Sequence, residues 1–206
     1  MRLRLVTATA VAGLVLAALP GHAATLKPQI SDPAGDANGL NDQGAGAPVP
    51  SQSTGPAEYA GADITKVAFV STFKTTRAHG KVIKKPTGFT VTMTLGAAPM
   101  PETFYRITAA IPACDSLFIE FGTDAATGGT AMRCPALPGQ DGGIDYTVPE
   151  AVQKGSTIKW TVPVSALPAG TTLQSLHAET RGNPALITAP AIDIADGGSA
   201  TFTIGK

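Results

Sequence analysis

Aromatic residues make up only 5% of this 206-residue chain and charged residues only 15%. One tryptophan and three tyrosines leave few ring faces to stack on sugars or bases. The sparse charge, equally divided between 15 basic and 15 acidic residues, gives no basic face of the kind nucleic-acid binding needs. Soft metal ligands are scarce too. Beyond the N-terminal run, His79 and His177 are the only histidines to join Cys114 and Cys134, a poor set for a four-ligand zinc site. There is no Gly-x-Ser-x-Gly elbow and no His-Glu-x-x-His. Ser71-Thr72-Phe73-Lys74 matches a Ser-x-x-Lys pattern, but it ends a strand-like run. Positions three apart on a strand face opposite ways, so Lys74 does not activate Ser71. Glu120 with Asp115, and His177 near Glu179, lack any supporting motif for hydrolysis.

The N-terminus sets an expected compartment. Arg2 and Arg4 precede an uncharged run from Leu5 to Leu19, and Pro20-Gly21-His22-Ala23 ends it with small residues. This is the layout of a signal peptide cleaved after Ala23. The run is shorter than the ~20 residues a bilayer span needs. The expected location is secreted, with no membrane partner after cleavage. Without Arg2 and Arg4 the balance becomes slightly acidic, and no nucleic-acid partner is expected. Lys74, Arg77, Lys81, Lys84 and Lys85 form the one local basic cluster, which reads as a solvated hairpin loop.

Two cysteines in an exported chain most often pair with each other. Cys114 and Cys134 would close a modest loop and staple a hairpin built from Leu117–Phe121 and Thr130–Cys134.

Residues 24–62 are rich in Gly, Pro, Asp and small residues, and residues 63–206 carry short alternating runs. Ile64–Phe73, Phe89–Leu95, Thr103–Ile111, Ile158–Val164 and Thr172–Arg181 read as strands. Trp160 and Tyr105 fall on the apolar side of their runs. Pro149–Lys154 is a weak helical turn. Strands every 8–15 residues with Gly/Pro turns predict an all-β fold, a single antiparallel two-sheet β-sandwich of jelly-roll or immunoglobulin-like type. The expected divisions are a signal peptide over 1–23, a segment over 24–62 packing on the sandwich, and the sandwich over 63–206.

Chemistry concentrates in Asp32-Pro33-Ala34-Gly35-Asp36-Ala37-Asn38-Gly39. Pro33 and Gly35 tighten the turn and bring Asp32 and Asp36 together, Asn38 adds an oxygen, and Asp63 lies at the mouth of the first long strand. Crowded hard oxygens suit Ca²⁺, which takes six to eight. The other reading is an Asx-rich solvated turn with self-capping carboxylates. No EF-hand spacing is present, and no organic cofactor is expected.

The order Asp-Pro-x-Gly-Asp-x-x-Gly, then a Gly/Pro-rich loop with Tyr59, then Ala62-Asp63-Ile64-Thr65-x-Val67, resembles the opening of DOMON-like secreted modules. These are related to family 9 carbohydrate-binding modules and the C-terminal module of glucodextranase. Phe89–Leu95, Trp160–Leu167 and Ile192–Asp196 with Thr201–Gly205 resemble later segments of that family. The resemblance implies a calcium role for Asp32, Asp36 and Asp63. Sugar binding would need exposed aromatics that this chain lacks. Haem binding would need Met93, Met100 or Met132 with His79 or His177. The sequence thus predicts a non-catalytic secreted module, calcium-stabilised, binding an extracellular ligand or partner. The alternatives are a cell-envelope structural or interaction protein with no small ligand and a secreted hydrolase without recognised motifs.

Overall fold

The computed structural model describes residues 27–37, 59–123, 129–136, 142–182 and 191–206. The expected signal peptide, most of the Gly/Pro-rich segment and Asn38 lie outside the described residues. Among those described, twelve strands follow in order: β1 (Ile30–Ser31), β2 (Ile64–Ala78), β3 (Lys81–Leu95), β4 (Thr103–Ile111), β5 (Cys114–Gly122), β6 (Thr130–Cys134), β7 (Ile144–Tyr146), β8 (Val152–Lys154), β9 (Thr157–Pro163), β10 (Thr172–Gly182), β11 (Ala191–Asp196) and β12 (Phe202–Thr203). One sheet has the order β1-β2-β3-β9-β8. The other runs β11-β10-β4-β5-β6-β7, with β12 also on β10. All pairings are antiparallel, and the fold is an all-β sandwich.

The core lies between the sheets. Phe89, Val91, Met93, Ile158, Trp160 and Val162 face Tyr105, Ile107, Leu117, Ile119, Met132 and Ala178. Alternation alone does not place every apolar residue inward. Ile64 and Val67 differ by three positions, yet both are buried. A register shift between Ile64 and Lys66 supplies the extra residue that brings both to one side. A second shift between Gln174 and His177 does the same for Leu173 and Leu176, with Ser175 at φ +49°. Trp160 is buried, as its alternating run implies, and its indole N–H donates to the Glu120 carbonyl at 3.1 Å.

Two local expectations are corrected. Pro149–Lys154 forms no helical turn. Val152–Lys154 is a strand that returns as β9 through Gly155-Ser156, with Lys154 opposite Thr157. So short a segment has no apolar stripe to bury as a helix, whereas the β9 edge offers backbone partners. The basic cluster is likewise not a loop. β2 runs on through Ala78 and β3 begins at Lys81, so only His79-Gly80 turns.

Side chains from the seven-stranded sheet fasten the segment that leads into β2. The Tyr105 hydroxyl donates to the Gly61 carbonyl at 2.7 Å and accepts from the Met100 N–H at 2.8 Å. The Thr180 hydroxyl donates to the Ala62 carbonyl at 2.9 Å. Asp193 accepts the Ile64 N–H at 2.5 Å. Tyr105, Thr180 and Asp193 sit on the adjacent strands β4, β10 and β11, so three polar side chains satisfy three backbone groups between Gly61 and Ile64.

Cys114 opens β5 and Cys134 closes β6, and they form a disulfide with a Cα–Cα distance of 5.9 Å. The bridge closes a loop with a sequence separation of 20 residues. Replacing both cysteines by serine is expected to lower unfolding free energy by about 3 kcal/mol, read as a shift in the urea midpoint. An unchanged midpoint in the double variant would show that the bridge contributes nothing.

Candidate metal centre

β1 is only two residues long, paired with Val67 and Lys66 of β2. Its pairing is extended by the Asp32 N–H, which donates to the Thr65 carbonyl at 3.1 Å. Pro33 then fixes φ and removes a donor, and Gly35 adopts φ +86°, a region that favours glycine. The chain turns back on itself over Pro33–Asp36. The Gly35 N–H donates to Asp63 Oδ2 at 2.9 Å, so a carboxylate from the start of β2 holds the turn in place.

The result is a cluster of acids. Asp32, Asp36 and Asp193 each offer a carboxylate oxygen, and these oxygens lie within 4.8 Å of one another. Two oxygens bound to one Ca²⁺ at 2.3–2.6 Å are at most about 5.2 Å apart, so the three fit a single coordination sphere. Asp63 stands beside them, buried to 4% exposure, with one oxygen on Gly35 and Oδ1 lacking a partner among the described residues. Asp32 Oδ2 is also buried without a partner. No Lys or Arg forms an ion pair with any of these four acids among the described residues. The donors are all oxygen, suited to a hard cation rather than to zinc or copper.

Electrostatics follow from this crowding. Burial, and then the charges of Asp193, Asp36, Asp63 and Asp196, push the Asp32 carboxyl up to about 7. Burial pushes Asp193 up to about 6, opposed by the hydrogen bond from the Ile64 N–H and reinforced by Asp36 and Asp63. Gly96 shapes the floor of the site. A Cβ added there would lie 2.7 Å from Asp63 Oδ2 and 3.0 Å from the Ala60 carbonyl, so only glycine lets the chain pass this carboxylate so closely.

Of the residues singled out in the sequence, Asp32 and Asp36 converge. Asp63 is adjacent and serves the turn, and Asn38 lies outside the described residues. Sequence reasoning missed Asp193. It sits in Ile192-Asp193-Ile194, where alternation suggests that the isoleucines face inward. In fact Asp193 is buried and Ile194 is 52% exposed. The available signal was an acid flanked by two isoleucines, a pattern that fixes opposite faces without saying which is inside.

Other candidate groups are differently committed. Glu120, 1% exposed, is held by Arg106 Nε at 2.6 Å and Arg133 Nη2 at 2.8 Å. Arg106 also reaches Glu179 at 3.1 Å and lies 4.6 Å over the Phe118 ring, and Arg181 pairs with Glu179 at 2.9 Å. His177 Nδ1 lies 2.6 Å from Asp196. Ser71 Oγ accepts the Gly205 N–H at 2.8 Å. Met93 and Met132 are packed in the core. A cleft of about 280 Å³ beside the disulfide is lined by Asp115, Ser116, Phe118 and Ile144 among others.

The acid cluster sets a pH dependence for the cation-free protein. An acid whose pKa is raised on folding holds its proton more tightly when folded. That contribution is complete below the ordinary value of 3.8 and is lost as pH rises through about 6 for Asp193 and about 7 for Asp32. In the presence of a chelator the melting temperature should therefore fall between pH 5 and pH 8. Asp32→Asn should flatten the change, and a wild-type melt that rises over this interval would contradict the assignment. No protein-family model matches this chain, and neither a curated protein nor a solved structure matches it significantly.

Proposed function

We propose that the chain is an exported, non-catalytic β-sandwich module stabilised by calcium, which presents its surface to an extracellular ligand or an envelope component. The observation that carries the reading is the convergence of Asp32, Asp36 and Asp193, with no basic side chain paired to them among the described residues. Three carboxylates at this separation repel one another, and a divalent cation removes that repulsion. Asp63 supports the same centre by fixing the turn that carries Asp32 and Asp36. The resemblance to DOMON-like modules points to the same N-terminal acids. A disulfide and an apolar N-terminal run ending in Gly-His-Ala support export. The commitment of Glu120, Glu179 and Ser71 to structural contacts supports the non-catalytic reading over the hydrolase.

Export is tested by intact mass. Protein recovered from the medium should begin at Ala24, and protein retained in the membrane with Met1 present would refute cleavage.

The metal is tested by thermal unfolding. Ligand binding to the folded state alone adds about 2.7 kcal/mol at a hundredfold excess over Kd, a rise of several degrees for a domain of this size. Asp36→Ala and Asp193→Asn should each abolish the calcium-dependent rise. Asp115→Asn, on an exposed stretch of β5, should preserve it. A wild-type melting curve unmoved by both calcium and chelator would rule the metal out.

A further inference from the structure

The β2–β3 hairpin outruns the sandwich. β9 pairs with β3 only from Gly88 to Thr94, and β1 pairs with β2 only at Lys66 and Val67. From Phe73 to Ala78 and from Lys81 to Pro86 the two strands therefore pair with each other alone among the described residues. This is a two-stranded ribbon extending roughly 20 Å at strand rise.

Its composition is one-sided. Lys74, Arg77, Lys81, Lys84 and Lys85 are all on it, and the sequence has no acidic residue between Asp63 and Glu102. None of the five forms an ion pair among the described residues. Lys74 lies directly opposite Lys85. Like charges in that position destabilise a ribbon, and the sequence keeps them without a counter-charge. Lysines at open strand edges do block edge-to-edge aggregation, but that role needs neither a single sign nor apolar neighbours. This ribbon has both. Val82 is 56% exposed, Ile83 48% and Phe73 40%, three of the six exposed large hydrophobics among the described residues. Register places Phe73, Arg77, Val82 and Lys84 on one face, and Lys74, Lys81, Ile83 and Lys85 on the other. At the root, Lys27 and Lys206 line a cleft with Phe73.

We propose that this ribbon docks on the surface of an anionic lipid bilayer. Cations alone would serve any polyanion. The interleaved Val82, Ile83 and Phe73 distinguish a bilayer, whose headgroups take the ammonium and guanidinium groups while its acyl boundary takes the apolar side chains. Long Lys and Arg side chains reach the headgroups from strands lying at that depth. The slightly acidic balance of the chain after Ala23 conceals this surface, because every acid lies outside the stretch from Ile64 to Pro101. The inference does not rest on the metal.

The test is co-sedimentation of the protein recovered from the medium with vesicles of phosphatidylcholine, with and without phosphatidylglycerol. Material beginning at Ala24 carries neither the apolar run nor Arg2 and Arg4, which would bind vesicles themselves. Wild-type protein should bind the anionic vesicles more than the neutral ones, and added salt should weaken that binding. Each cation removed should weaken it roughly fivefold, so K74S/K81S/K85S should lose roughly a hundredfold. V82S/I83S, which keeps every charge, should lose roughly tenfold. Both variants alter exposed ribbon positions, and circular-dichroism melts should show them folded like wild type. Absence of preferential binding to anionic vesicles overturns the proposal. So does undiminished vesicle binding by V82S/I83S together with equal binding of wild type and that variant to dextran sulfate, which would show that the ribbon reads charge alone.

Discussion

The hydrogen bond from the Ile64 N–H to Asp193 is the contact on which this end of the sandwich depends. It joins the first residue of β2, in one sheet, to β11 at the edge of the other. A buried carboxylate in that position satisfies a backbone donor that no strand reaches, and leaving the donor unpaired would cost roughly 1–3 kcal/mol. Once Asp193 is fixed there, its second oxygen is taken by the Ile194 N–H. Asp63 is fixed next to it by the Gly96 and Tyr59 backbone contacts. The turn after β1 can then close only against two acids. Asp32 and Asp36 complete a group whose mutual repulsion is the direct consequence of using carboxylates as the joint between sheets.

Much of the architecture was legible in the sequence. The alternations at Phe89–Leu95 and Ile158–Val162 give strand and inward face together, because every apolar residue falls on one parity. Trp160 and Tyr105 are core residues for the same reason. Parity fails at Ile64–Val67 and Leu173–Leu176, where a bulge inserts one residue, and bulges leave little trace in a short stretch of chain. The basic segment departs from its expected loop for a related reason. Lys, Arg, Thr and Gly read as loop, yet Thr and the β-branched Val82 and Ile83 carry the strand outward with no core to face. Asp32 and Asp36 were legible as neighbours because Pro33 and Gly35 lie between them. Asp193 was not. It comes from the far end of the chain, 129 positions from the Ile64 N–H it accepts, and only the pairing of β11 with β10 brings it to β2.

The same residue chemistry gives opposite results on the outer face of the seven-stranded sheet. There Glu120 and Glu179 are as buried as Asp63 and Asp193, but Arg106, Arg133 and Arg181 surround them. Arg106 donates to both glutamates and lies over Phe118, so one planar cation links β4, β5 and β10. The Glu120 carbonyl also receives the Trp160 indole N–H. Charge lattice and apolar core are therefore anchored at one residue. With an arginine nitrogen on each oxygen of both carboxylates, this acid pair holds the sheet together.

In a chain with so few charges, their separation is itself informative. The arginine–glutamate lattice is nearly neutral and has what it needs within the fold. Among the described residues the acids at the joint between sheets have no basic partner, and the lysines of the ribbon have no acidic one, although both belong to β2 or its immediate neighbours. Chain length does not explain this. β2 spans Ile64–Ala78, so at 3.3 Å per residue its ends are roughly 50 Å apart, several Debye lengths at physiological salt. The two groups cannot neutralise one another across that distance. Any compensation each receives is therefore local. The compensation differs in kind because the settings differ. A tight group of oxygens, partly exposed at Asp32 and Asp36 and buried at Asp193, suits one small cation. An open ribbon with exposed valine, isoleucine and phenylalanine suits an extended surface that is anionic and apolar at once.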